Sequence, residues 1–147
     1  MFTKEQLEGI IVALANPEIS IEKDDKQSIG YRIRLRIHFR AMNEDFILGL
    51  KETLEEHGID TYYRNKEKET RPYPLLRITK VDNMFNLLKL ISKNLEWNRN
   101  FSSFLEVLTI VSNKHHLVQK GFDRILEIKE EASSWRWCRW EIKKDQY

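Results

Sequence analysis

The chain has one cysteine, Cys138, with five glycines and three prolines in 147 residues. A lone cysteine excludes an internal disulfide and a cysteine-rich zinc site. Few glycines and prolines exclude a linker-rich or collagen-like chain and predict long elements joined by short loops. No window approaches the roughly 18 apolar residues of a spanning helix, and no basic-then-apolar leader opens the sequence. The expectation is therefore a soluble intracellular protein without membrane association. A third of the residues are charged, yet 25 basic and 23 acidic groups leave a net charge of only +2. What is present suffices for a core: 41% of the residues are apolar and 11% aromatic, which argues against disorder. The length fits one domain.

Thr3 and Gln6 have the spacing of a capping box, and Leu7, Ile10, Ile11 and Leu14 recur at helical period, so residues 3–15 are predicted to be a helix. Gly9 and Ala13 lie four apart on one face of it, where another backbone can approach closely; packing against the chain's own sheet is the alternative use of such a face. Asn16-Pro17 ends the helix. Strands are predicted over 18–24 and 31–40, joined by the polar turn Asp24–Gly30. In the second, Tyr31, Ile33, Leu35, Ile37 and Phe39 alternate with Arg32, Arg34, Arg36, His38 and Arg40, and a period of two sends the two sets to opposite faces. Asn43 caps a helix running to about His57, with Gly58 following it. Strands at about 60–66 and 74–79 flank the charged loop Glu67–Arg71, and Pro72 and Pro74 predict an edge position for the later one. Helical patterns at 82–93, 100–112 and 117–131 close the series. The order αββαββααα predicts an α+β fold with a mostly antiparallel sheet.

The small net charge conceals strong local asymmetry. Residues 31–40 carry +4, residues 61–80 carry +4, and the helix at 43–57 carries −4. Helices covering the apolar sheet face would leave the arginine row outward. That row is either a surface for phosphates and bases or a ladder to Glu18, Glu22 and Asp24 of the preceding strand.

The run Leu7-Glu8-Gly9-Ile10-Ile11-Val12-Ala13-Leu14-Ala15, followed by Ile19-Ser20-Ile21, resembles the LAGLIDADG motif of homing endonucleases. The element order and trailing helices are similar to the single-motif, homodimeric branch of that family, over roughly residues 3–130. The resemblance implies an αββαββ core with a four-stranded saddle sheet and three C-terminal helices over 1–132, followed by a Trp/Arg-rich segment at 133–147. It implies that two motif helices meet at a dimer axis through Gly9 and Ala13. It also implies that Arg32, Arg34, Arg36, His38 and Arg40 face double-stranded DNA, joined by Arg64, Lys66 and Arg77 from the later strands.

At the chemistry the sequence departs from the family. The resemblance implies metal-assisted cleavage by an acid near the end of the motif helix, but Leu14 stands there, with Ala15 in place of the following glycine and Val12 at the motif's other acid. Leucine offers no oxygen to a divalent cation. Glu18, beyond Pro17, is the nearest acid downstream, and a metal-dependent nuclease with an atypical site would have to use it. A basic residue that relatives place beside the scissile phosphate would fall near Asn98, with Arg99 one place on. The expectation is a duplex-binding homodimer without nuclease activity or cofactor, located in the cytoplasm and able to associate with the nucleoid. An RNA-binding, maturase-like splicing factor and a module meeting an acidic protein are the alternatives.

Three other features suggest less. His115 and His116 are adjacent, so on a helix they diverge by about 100° and cannot form an i, i+4 zinc pair. Cys138 has no evident histidine partner. Trp135-Arg136-Trp137-Cys138-Arg139-Trp140 could fold back over the domain, stack on bases or contact a partner protein.

Overall fold

The computed structural model describes residues 1–95, 99–132 and 139–143. In chain order the elements are helix α1 (Lys4–Leu14), strands β1 (Asn16–Lys23) and β2 (Tyr31–Arg40), helix α2 (Glu44–Glu56), strands β3 (Tyr62–Arg64) and β4 (Leu75–Ile78), helices α3 (Val81–Leu90), α4 (Arg99–Ser112) and α5 (Gln119–Ala132), and strand β5 (Arg139–Lys143). The sheet runs β3-β4-β2-β1-β5. Its first four strands form the expected antiparallel sheet. The fold is α+β, and among the described residues no helix is long and apolar enough to cross a membrane.

The chain divides into two compact units, and β2 runs from one into the other. The first unit comprises Met1–Asn16 and Arg36–Asn94. Its α1 begins with the expected capping box: the Thr3 hydroxyl accepts from the Gln6 amide at 3.1 Å, and the Gln6 side chain accepts from the Thr3 amide at 2.9 Å. Asn43 caps α2 by accepting from the Phe46 amide at 3.1 Å, and Gly58 takes the left-handed conformation (φ 76°) just past the helix end. The β2–β4 rungs Ile37–Ile78 and Phe39–Leu76 point into the core with Leu7, Ile11, Ile47, Leu50 and Leu54, all fully buried. Burying each such side chain contributes about 1.5–3 kcal/mol before the entropy of ordering is counted.

The second unit comprises Pro17–Leu35 and the chain from Leu95 onward. Ile19, Ile21 and Leu35 are buried, as are Phe101, Phe104, Val107, Leu108, Phe122 and Ile125 of the helices. Tyr31 stacks on Phe122 with ring centroids 5.4 Å apart. Arg124 of α5 bonds to Glu106 of α4 at 2.6 and 3.1 Å, which holds its guanidinium firmly protonated. The tail segment Arg139–Lys143 folds back beside β1 in parallel, Glu18 opposite Arg139 and Glu22 opposite Lys143. Residues 135–138, with Cys138 among them, lie outside the described residues, as does Asn98.

Two strand boundaries and one strand position differ from the sequence expectation. β1 starts at Asn16, so Pro17 sits near the strand's beginning, where its missing N–H does little harm. β4 is internal, between β3 and β2, rather than at an edge. Pro72 and Pro74 precede its first residue and remove no donor from within the strand. They do interrupt the hairpin: β3 stops at Arg64, opposite Leu75, and pairing returns as the single bridge Lys68–Arg71 at the tip.

Candidate nucleic-acid interface

β2 presents its polar residues differently in the two units. In the second unit, Arg32 and Arg34 are exposed and converge on one buried carboxylate, Glu22. Arg32 Nε donates to Glu22 Oε2 at 2.6 Å, while Arg34 Nη2 stands 3.9 Å from the same oxygen. Of the ladder to Glu18, Glu22 and Asp24 weighed from the sequence, the Glu22 rung is present. It sets two guanidiniums against a single acid and leaves the pair net positive.

In the first unit the polar face is organised in rungs across three strands. Tyr62 of β3, Arg77 of β4 and His38 of β2 share one rung, and Arg64, Leu75 and Arg40 share the next. Arg77 Nε donates to His38 Nε2 at 2.9 Å, and its guanidinium lies over the Tyr62 ring, 5.8 Å from the centroid. Arg40 is held by Glu67, through Nε at 2.8 Å and Nη2 at 3.3 Å, and its Nη2 is 3.1 Å from His38 Nδ1. Arg71 reaches the same carboxylate at 3.5 Å. Burial of Glu67 works to raise its carboxyl pKa. The Arg40 bonds and charge, then the Arg71 charge, outweigh that effect and hold it below the ordinary range.

These positions sort the expected contacts. Arg64 is exposed on the edge strand, Arg77 and Arg36 are half-buried, and Arg40 is tied to Glu67. His38 differs from the expected outward contact, being only 2% exposed beneath its two arginines. Lys66 lies past the end of β3 and pairs with exposed Glu69 at 2.9 Å, so it does not continue the strand's alternation. Glu67 and Tyr62 were not singled out by sequence reasoning. Tyr62 has the same parity as Arg64, which was a usable signal, whereas nothing local marks Glu67 as the partner of a residue 27 positions away.

The outer face of α1 carries Gly9 and Ala13, both exposed, with Ile10, Leu14, Phe2 and Phe46 around them in a shallow apolar groove of about 520 Å³. A Cβ at Gly9 would meet nothing within 4 Å, so within one chain these small residues accommodate no neighbour. Among the described residues, Gly9 does not pack against the chain's own sheet. At the end of α1, Leu14 is 41% exposed and Ala15 buried. Together with Val12 they place only alkyl groups there, which does not fit a divalent cation. Glu18 lies in β1, opposite Arg139. His115 and His116 occupy a short 3-10 turn, and burial lowers the His116 pKa.

No family model matches the sequence, and no curated protein does. Solved structures do match. The homing endonuclease I-TnaI superposes with a TM-score of 0.74 at 18% identity, covering 89% of this chain and 88% of that one. The archaeal intron-encoded homing endonuclease I-Vdi141I, complexed with DNA, gives 0.76 at 19% identity over 98% of this chain and 86% of its own. The LAGLIDADG homing endonuclease I-SmaMI, bound to cleaved DNA, gives 0.72 at 19% identity, and this chain spans 43% of its length. The chain has the LAGLIDADG homing endonuclease fold. In that fold the apolar groove of α1 lies on the helix that carries the motif-like run, and β2 is the second strand of the αββ repeat that follows it.

Proposed function

We propose that this chain binds double-stranded DNA as a homodimer, through arginines carried by β2, β3 and β4, and does not cleave it. The observation that carries the reading is a combination on one fold. Strands β2, β3 and β4 are rich in exposed and half-buried arginines, while Val12, Leu14 and Ala15 at the end of α1 supply no carboxylate. I-Vdi141I and I-SmaMI are seen with DNA, which supports a duplex as the partner. The groove around Gly9 and Ala13 supports a second copy as its occupant: a helix with small residues at i and i+4 lets an identical helix approach closely. The present chain matches most of the I-Vdi141I chain but 43% of I-SmaMI, as expected of half of a two-part assembly.

Fluorescence anisotropy against salt tests the binding. Each phosphate neutralised contributes a slope of about −0.9 in log K against log salt, so Arg32→Ala or Arg34→Ala, present twice per dimer, flattens the slope by up to about 1.8. Affinity and slope unchanged in both variants would leave these arginines as mere partners of Glu22. A-form RNA has a deep, narrow major groove, so folded RNA at matched salt should bind more weakly than duplex DNA; the reverse order would favour the splicing-factor reading. Saturable binding to an acidic protein, with none to the duplex, would favour the interaction module.

A further inference from the structure

We propose that His38 is a positioning residue which fixes the Arg77 guanidinium for readout of one guanine in the major groove. The inference rests on the duplex-binding reading and adds to it a base and the residues that select it.

His38 is too deeply buried, at 2% exposure, to reach a base. Its Nε2 accepts from Arg77 Nε at 2.9 Å, and Tyr62 supports the guanidinium from the opposite side of the rung. With Nε directed inward, Nη1 and Nη2 form the remaining edge of Arg77. Among the described residues no hydrogen-bond partner occupies it. Two parallel N–H donors held in one plane match the O6 and N7 acceptors that guanine presents in the major groove.

The neighbouring arginine is held differently. A guanidinium only donates, and a neutral imidazole accepts at one nitrogen only. If Nε2 accepts from Arg77, Nδ1 carries the proton and cannot also accept from Arg40 Nη2, 3.1 Å away. The Glu67 carboxylate holds Arg40 there through Nε and Nη2. Arg40 is thereby anchored to a carboxylate. Arg77, with no carboxylate partner among the described residues, keeps its charge and a defined plane. A bidentate phosphate contact would use the same donors, but it would carry no sequence information.

Selection from a randomised duplex library, read for wild type, Arg77→Lys, His38→Ala and His38→Gln, separates these outcomes. The expected result is a G·C pair at one position of each half-site. That preference falls by about tenfold in Arg77→Lys, which keeps the charge but not the fork, and in His38→Ala. Other positions stay unchanged. His38→Gln, whose side-chain oxygen can accept from Arg77 Nε, retains the preference. Circular dichroism melts accompany each variant; should His38→Ala fail to fold, Arg77→Lys and His38→Gln decide. An unchanged preference in Arg77→Lys, or weakening spread evenly over all positions as for a phosphate contact, would overturn the inference and leave duplex binding intact. No selected duplex with the wild-type protein would overturn both.

Discussion

Replacing Gly9 by alanine gives opposite results for a monomer and for a dimer built on α1. Gly9 sits in the middle of an eleven-residue helix, and a Cβ there meets nothing within 4 Å in its own chain. In an isolated chain the substitution gains only helix propensity, about 0.8–1.0 kcal/mol. For a chain of this length that raises Tm by about 2–4 °C, independent of concentration. If two α1 helices meet across Gly9 and Ala13, each chain instead forces a methyl group into a close backbone contact. Overpacking of that kind costs about 1–3 kcal/mol per site. Two sites per dimer give at least about 2 kcal/mol, a rise of roughly 30-fold or more in the dimer dissociation constant. Sedimentation equilibrium over a range of concentrations measures the association, and thermal melts over the same range measure stability. Twice the chain mass for wild type, with dissociation in Gly9→Ala, is the expected outcome. A monomeric wild type whose Gly9→Ala variant simply melts higher at every concentration would refute the reasoning.

Two further predictions concern the architecture around the site. Glu67→Gln should be less stable than wild type at neutral pH. The Glu67 carboxyl is held below its ordinary pKa, so its contribution is present above the unfolded-state value and lost as pH falls through the folded one. In urea melts the gap between the two proteins should close toward acid pH; a gap that widens there would contradict the Arg40–Glu67 account. Truncation before Arg139 strips β5 from β1 and should lower Tm while leaving α1 association unchanged. Loss of DNA affinity with an unaltered melt would instead assign the tail to recognition.

Local physics made much of the fold legible. The Thr3–Gln6 capping box, the Asn43 cap, Gly58 and the strict alternation of 31–40 each act within a few residues, and each element formed where its signals lie. Pairing between strands is a tertiary matter. Pro72 and Pro74 pointed to an edge because a proline within a central strand would break a ladder, but both fall just outside β4. The parallel β5 brings residues 139–143 against 18–22, a contact that no local pattern announces. The site was legible to the same extent. Alternation placed His38 on the polar face correctly, yet could not foresee that Arg77 and Arg40 would bury it. Glu67, in a charged loop, gave no sign that it would anchor Arg40. The absence of an acid at Leu14 is a property of the sequence itself, and its meaning for cleavage rests on the resemblance.

Duplex binding without cleavage can be read on one labelled duplex carrying a site selected by the wild-type protein. Footprinting and strand-cleavage analysis are run on the same samples at saturating protein, with Mg²⁺ and then with Mn²⁺. The expected result is a protected segment on both strands and intact DNA in either metal. Metal-dependent cuts inside that segment, made by wild type and abolished in Glu18→Ala, would contradict it.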